Sequence, residues 1–269
     1  MSAINLRPMD IGDILDVTFR LYRRHFVTYL LIALTAYVPF ALITATMQTA
    51  TGQGSWSTDV PPDQVLANNM GALAASYIGM LVFFLIVWPL CQAAMVHNIS
   101  AHYLGESLGA WESYKRGAHR VPRLLGAQFL AGIVVAIGFL LLVVPGVIFS
   151  LWFILIAPVV MLEEKGVSET LSRSRELMRG NLGKGFLLML TIGMLGGLIN
   201  FTFIMVLKMV PWPHAFVGLF FETLVQAVVV PIQLAPVILL YYDLRIRKEA
   251  FDLEKLAGDL GGPAPVVPV

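Results

Sequence analysis

Charge is what this sequence has least of. Asp, Glu, Lys and Arg make up only 13% of its 269 residues, where a water-soluble domain carries about a quarter. A chain this poor in charge cannot cover itself with a hydrated surface, which excludes an ordinary soluble globule. Cysteine is nearly absent too. The single Cys91 rules out an internal disulfide and any multi-cysteine metal site. Net charge is +1, so no overall basicity directs the chain to nucleic acid. Catalytic signatures are few: there is no His-Glu-x-x-His, no P-loop and no dinucleotide fingerprint, and the one Gly-x-Ser-x-Gly spacing, Gly105–Gly109, falls between helical stretches and not at the strand-to-helix turn that makes it a nucleophile elbow. The expectation is therefore a protein that is not an enzyme and holds no cofactor or metal. His97 and His102 lie five apart and do not share a helical face, so they read as interfacial side chains rather than ligands.

What is present is apolar length. The chain is 58% hydrophobic, with a mean hydropathy of +0.78. Six runs are long enough to cross a hydrocarbon core of about 30 Å: roughly 26–49, 72–98, 124–144, 146–162, 185–210 and 216–242. They are continuous rather than alternating, which selects helices over a β-barrel. The third and fourth meet at Val144-Pro145-Gly146, a turn signal that splits 124–162 into a hairpin. Pro39, Pro89, Pro158, Pro231 and Pro236 fall inside spans and should bend them. Small residues repeat every fourth position at Gly71, Ala75 and Gly79, and again at Gly193 and Gly197, as close helix contact requires.

Basic residues set the orientation. Arg7, Arg20, Arg23 and Arg24 precede the first span; Lys115, Arg116, Arg120 and Arg123 lie between the second and third. Lys165, Arg173, Arg175, Arg179 and Lys184 separate the fourth and fifth, and Arg245, Arg247, Lys248 and Lys255 follow the sixth. Of the 18 basic residues, this leaves only Lys208 on the other side. The positive-inside rule then places both termini in the cytoplasm of a cell membrane. No cleavable signal peptide is expected, because a mixed-charge stretch precedes the first apolar run. The outer side carries little more than the loop 51–64, the Pro145-Gly146 turn and Pro211–His214.

The mixed-charge opening is itself patterned. Ile11, Ile14, Leu15, Thr18, Tyr22 and Phe26 share one helical face; Asp13, Asp16, Arg20, Arg23 and Arg24 share the other. Asp10 suits the N-cap, with acids early and bases late, so 10–25 predicts an interfacial helix. The pattern returns in 168–180, with Ser168 as N-cap and Gly180 as C-terminal cap, and more weakly in 107–120. Three such helices on the inner face give anionic lipid headgroups, and a protein partner or a second copy, a surface to bind. Residues 1–259 form one membrane domain; the Gly/Pro-rich tail 260–269 reads as disordered.

The opening "LRPMDIGDILDVTFRLYRRHF", the run "VVPGVIFSLWFILIAPVVMLEEKGVSETLSRSRELMRGN" and the ending "YYDLRIRKEAFDLEKLA" together resemble a broad prokaryotic family of integral membrane proteins. That family includes the membrane domain attached to some glycerophosphodiester phosphodiesterases. The resemblance implies a six-helix membrane module, often without an assigned activity. In the phosphodiesterases the chemistry belongs to a separate soluble barrel of about 250 residues. The soluble segments here are too short to house one, so the activity does not transfer.

Two clusters are the candidate sites. Asp243 stands where the sixth span should leave the membrane, an i,i+4 partner for Arg247, and is expected instead, or also, to pair with Arg173 or Arg175 of the third amphipathic helix. Glu222 is the only carboxylate inside a span. It is expected to join Asn200 and Gln226 in a buried polar cluster, with Lys208 in reach if it folds inward. The reading that follows is a non-catalytic membrane scaffold or partner subunit. The alternative is a small transporter or channel using the polar groups of spans five and six.

Overall fold

A computed structural model describes residues 9–51, 69–209 and 215–259, and among these every regular element is helical. In chain order they are α1 (Ile11–Arg24), α2 (Phe26–Ala50), α3 (Met70–Val82), a π-helical turn (Phe83–Val87), α4 (Trp88–Tyr103), α5 (Ala110–Ala118), α6 (Val121–Leu141), α7 (Val143–Trp152), α8 (Ile156–Leu162), α9 (Val167–Met178), α10 (Leu182–Met209) and α11 (Ala215–Asp259). Six helical stretches are long and apolar enough to cross a membrane: α2, α3 to α4, α6, α7 to α8, α10 and α11. The outward side chains fit this. Leu140 is 86% exposed and Met209 84%, an arrangement that water would penalise and lipid would not. The chain is an all-α, polytopic membrane protein.

The prolines locate the irregularities. Pro89 removes the amide that would bond to Leu85, and the helix answers with the π-helical turn at Phe83–Val87. Pro158 follows the break at Phe153–Leu155, so the fourth span is two short helices rather than a single long one. The boundary between the third and fourth spans falls at Leu142, slightly before the Pro-Gly signal. Leu142 is extended at φ −163°, ψ 157°, and Pro145 sits in the first turn of α7, where its missing N–H costs nothing. The glycines of that stretch serve packing instead. A Cβ on Gly146 would collide with the Phe139 ring, and one on Gly138 would lie 2.7 Å from that of Phe149.

Two further boundaries differ from expectation. Gly166, not Ser168, opens α9, its N–H donating to Glu169 Oε2 at 3.1 Å. Gly180, at φ +85°, closes it. The last helix runs past Tyr242 to Asp259 without interruption. Most of the expected outer loop 51–64, Pro211–His214 and the tail 260–269 lie outside the described residues.

Helix α11 is the strut of the bundle. It contributes to both hydrophobic cores: one with α2, α4, α6 and α8, built around Ile32, Met95, Leu124 and Met161, and one with α1, α7, α9 and α10, built around Ile14, Leu155, Leu177 and Leu188. The small-residue seams are used unevenly. Gly79 admits Ile43 of α2, whereas Gly71, Gly193 and Gly197 face open space. On α10 the close approaches are at Gly185, against Met178, and at Gly196, where a Cβ would meet Gln233 Nε2 at 2.5 Å.

Candidate functional site

Because the spans alternate in direction, α1, α5, α9 and the end of α11 gather at one end of the bundle. This basic end carries the polar contacts that hold the elements in register. Asp243 is fully buried there. Its Oδ1 accepts from the Met9 backbone N–H at 2.7 Å and from Arg247 Nε at 3.0 Å, and its Oδ2 accepts from Lys184 Nζ. Lys184 also donates to the Met9 carbonyl, and Arg247 Nη2 reaches the same oxygen at 3.1 Å. One carboxylate thereby fastens the entry to α1, the start of α10 and the end of the last span.

The expected link from Asp243 to Arg173 or Arg175 is not formed. Arg173 turns instead to Glu163 at 3.1 Å, Glu249 at 3.0 Å and Glu176 at 3.6 Å. Arg175 lies over the Trp152 ring, 4.4 Å from its centroid, a cation–π contact. The reason is supply: Lys184 and Arg247 already saturate Asp243, while Glu163 at the close of α8 offers Arg173 a nearer acid. Tyr241 donates to Glu163 at 2.9 Å and accepts from Arg245 at 3.2 Å. Burial alone would lower the Arg173 pKa, but Glu163, then Glu176 and Glu249, hold it above the ordinary value.

A third group joins α1, α2, α4 and α5. The His25 and His102 rings stack at 3.6 Å, and His102 Nδ1 lies 3.2 Å from the Tyr29 hydroxyl. Burial, and then the Arg24 charge, push His25 below its usual pKa. Asn98 donates to the Leu108 carbonyl at 2.9 Å and to Ser113 Oγ at 2.8 Å, fixing α5 against α4. Tyr22 donates to the Val228 carbonyl at 3.0 Å, in the turn before Pro231; burial raises its pKa to about 12. No three His, Cys, Asp or Glu side chains among the described residues converge as metal ligands would.

Within the membrane-spanning region the polar side chains pair across spans. Gln128 meets Gln92 at 2.8 Å, Thr46 meets Ser76 at 3.1 Å, and Gln226 donates to Asn200 Oδ1 at 3.0 Å. Glu222 does not enter the last pair: one turn along α11 from Gln226, its side chain is exposed and not buried as expected, so the cluster reduces to Asn200 and Gln226. Glu222 faces a cavity of about 350 Å³ between α2, the π-helical turn and α11. The side chain of Lys208 is outside the described ones.

Sequence reasoning missed Lys184, Glu163, Tyr241 and His25. Glu163 had a local signal, an acid directly after a span; the others depend on which elements meet in space. Compared with protein-family models, with curated proteins and with solved structures, the chain matches none. What the fold and contacts define is thus a class: a multi-pass helical membrane protein with an ion-paired basic end.

Proposed function

We propose that this protein is a non-catalytic subunit or scaffold of the cytoplasmic membrane, with both termini inside, whose basic end docks on anionic lipid headgroups and on a protein partner. The observation that carries the reading is where rigidity has been placed. Asp243, Glu163 and their cationic partners lock α9, α10 and α11 to one another, while Arg20, Arg23 and Arg24 on α1 remain exposed. A locked face with outward bases suits a fixed docking surface more than a moving gate. Exposed bases near an anionic leaflet each contribute about 1 kcal/mol of attraction. Descent from the membrane module seen beside some phosphodiesterases belongs to this reading and rests on the three quoted segments.

Extraction of cross-linked native membranes in mild detergent tests it. A second polypeptide in fixed ratio is expected, together with co-purifying anionic lipid that falls when Arg20, Arg23 and Arg24 are replaced by Gln. A chain that elutes alone, with the same lipid content in wild type and variant, would overturn the proposal.

A further inference from the structure

The cavity that Glu222 faces lies in the half of the bundle away from the basic end, and its walls are aromatic. Tyr37 and Phe40 of α2, Phe83 and Phe84 of the π-helical turn, and Trp88 line it together with Glu222. The five rings form one connected set. Phe40 and Phe83 are 4.8 Å apart, Phe83 and Phe84 5.4 Å, and Trp88 stands edge-on to Tyr37 at 6.4 Å and 89°. The π-helical turn is what aims successive phenylalanines at one space, and such turns concentrate at functional sites.

Of the polar groups that line the cavity, Gln48 and the Tyr37 hydroxyl are open to a ligand, and three others are committed. Thr44 donates to the Phe40 and Ala41 carbonyls, Thr223 donates to Leu219, and Gln226 gives its amide to Asn200. Among the described residues no cation pairs with Glu222. An ionisable side chain at membrane depth calls for a named partner, and none of the described side chains supplies one there. Five aromatic side chains and one carboxylate are a recognition set for a cation with an apolar body: ring quadrupoles attract the charge while the acid balances it. The volume of about 350 Å³ falls in the range of small-molecule sites, about 300–1,000 Å³.

We propose that this cavity binds a lipophilic organic cation, of the quaternary-ammonium or aryl-ammonium class, between the aromatic set and the Glu222 carboxylate. The site stands apart from the docking role, and neither depends on the other.

Radiolabelled benzyltrimethylammonium, equilibrated with the full chain in nanodiscs of zwitterionic lipid, is the probe. Saturable binding is expected. Neopentylbenzene, its uncharged carbon isostere, should compete at least ~10-fold more weakly, since shape alone cannot replace the charge. Glu222→Gln keeps the shape and should weaken binding ~10-fold or more; Trp88→Leu should weaken it while leaving the charge in place. Absence of saturable binding to the wild type overturns the proposal, as does equal competition by the neutral isostere, which would mark an acyl-chain or detergent cleft. These two measurements need only the native chain, so they decide even if a variant does not fold. Wild-type affinity in a folded Glu222→Gln protein overturns it equally.

Discussion

Asp243 has no exposed surface, and a carboxylate so placed is tolerated only if its neighbours replace water. Here they do, through two cations and a backbone N–H. Removing the charge while keeping the shape should therefore be costly, because Lys184 and Arg247 are left facing each other without an anion. Asp243→Asn is expected to lose about 3 kcal/mol of stability, read as a lower thermal midpoint in detergent. Lys184→Met in the same background should restore some of that loss. An unchanged midpoint in the single variant would show that the ties are incidental. The Asp243–Arg247 pair was legible in the sequence because i,i+4 spacing on a helix makes neighbours of any two such residues. Lys184 was not, since it reaches Asp243 across 59 positions and only the packing of α10 on α11 brings them together. The same limit explains Glu222. Spacing put it on the face of Gln226, but whether an acid one turn away meets Asn200 or a cavity depends on helix depth, which no local pattern encodes.

At the scale of elements, the spans were legible because twenty or so apolar residues in a row admit few other structures. The breaks inside them were legible only as prolines: Pro89 gives a π-helical turn and Pro158 follows a full interruption, though both are the same residue in similar surroundings. The junction of α1 and α2 carries a consequence for acid stability. His25 sits at that junction, stacked on His102, with its pKa lowered by burial and by Arg24. Between that lowered value and the ordinary one near 6.5, the unfolded chain binds more protons than the folded one, so stability rises with pH. The thermal midpoint should accordingly fall as pH drops below about 6.5, and His25→Gln should flatten that fall. An identical pH slope in the variant would remove His25 from the account.

For the whole molecule, the fold and the charge distribution constrain each other. Six crossings return the chain to its starting side, and α1, α5, α9 and the end of α11 can share contacts only if the crossings between them are even in number. The contacts Lys184 to Asp243 and Arg173 to Glu249 join segments that an odd number of intervening crossings would put on opposite sides of the membrane. Which side this is follows from the bases. Moving the bases of this end across the membrane would resist insertion far more than moving the few charges of the short opposite connections, which supports the proposed inside orientation of the basic end. The topology is read directly by dual reporters that are active in one compartment each. Fusions after Gln53 should report the outside, and fusions after Gly109, Gly166 and Gly258 the cytoplasm. A cytoplasmic signal at Gln53 would require α2 to re-enter rather than cross, and would leave α4 and α5 unable to meet α1 on the same side. An outside signal at all three glycine positions would preserve the fold and reverse it in the membrane, which would end the lipid-docking proposal but leave the cation site standing.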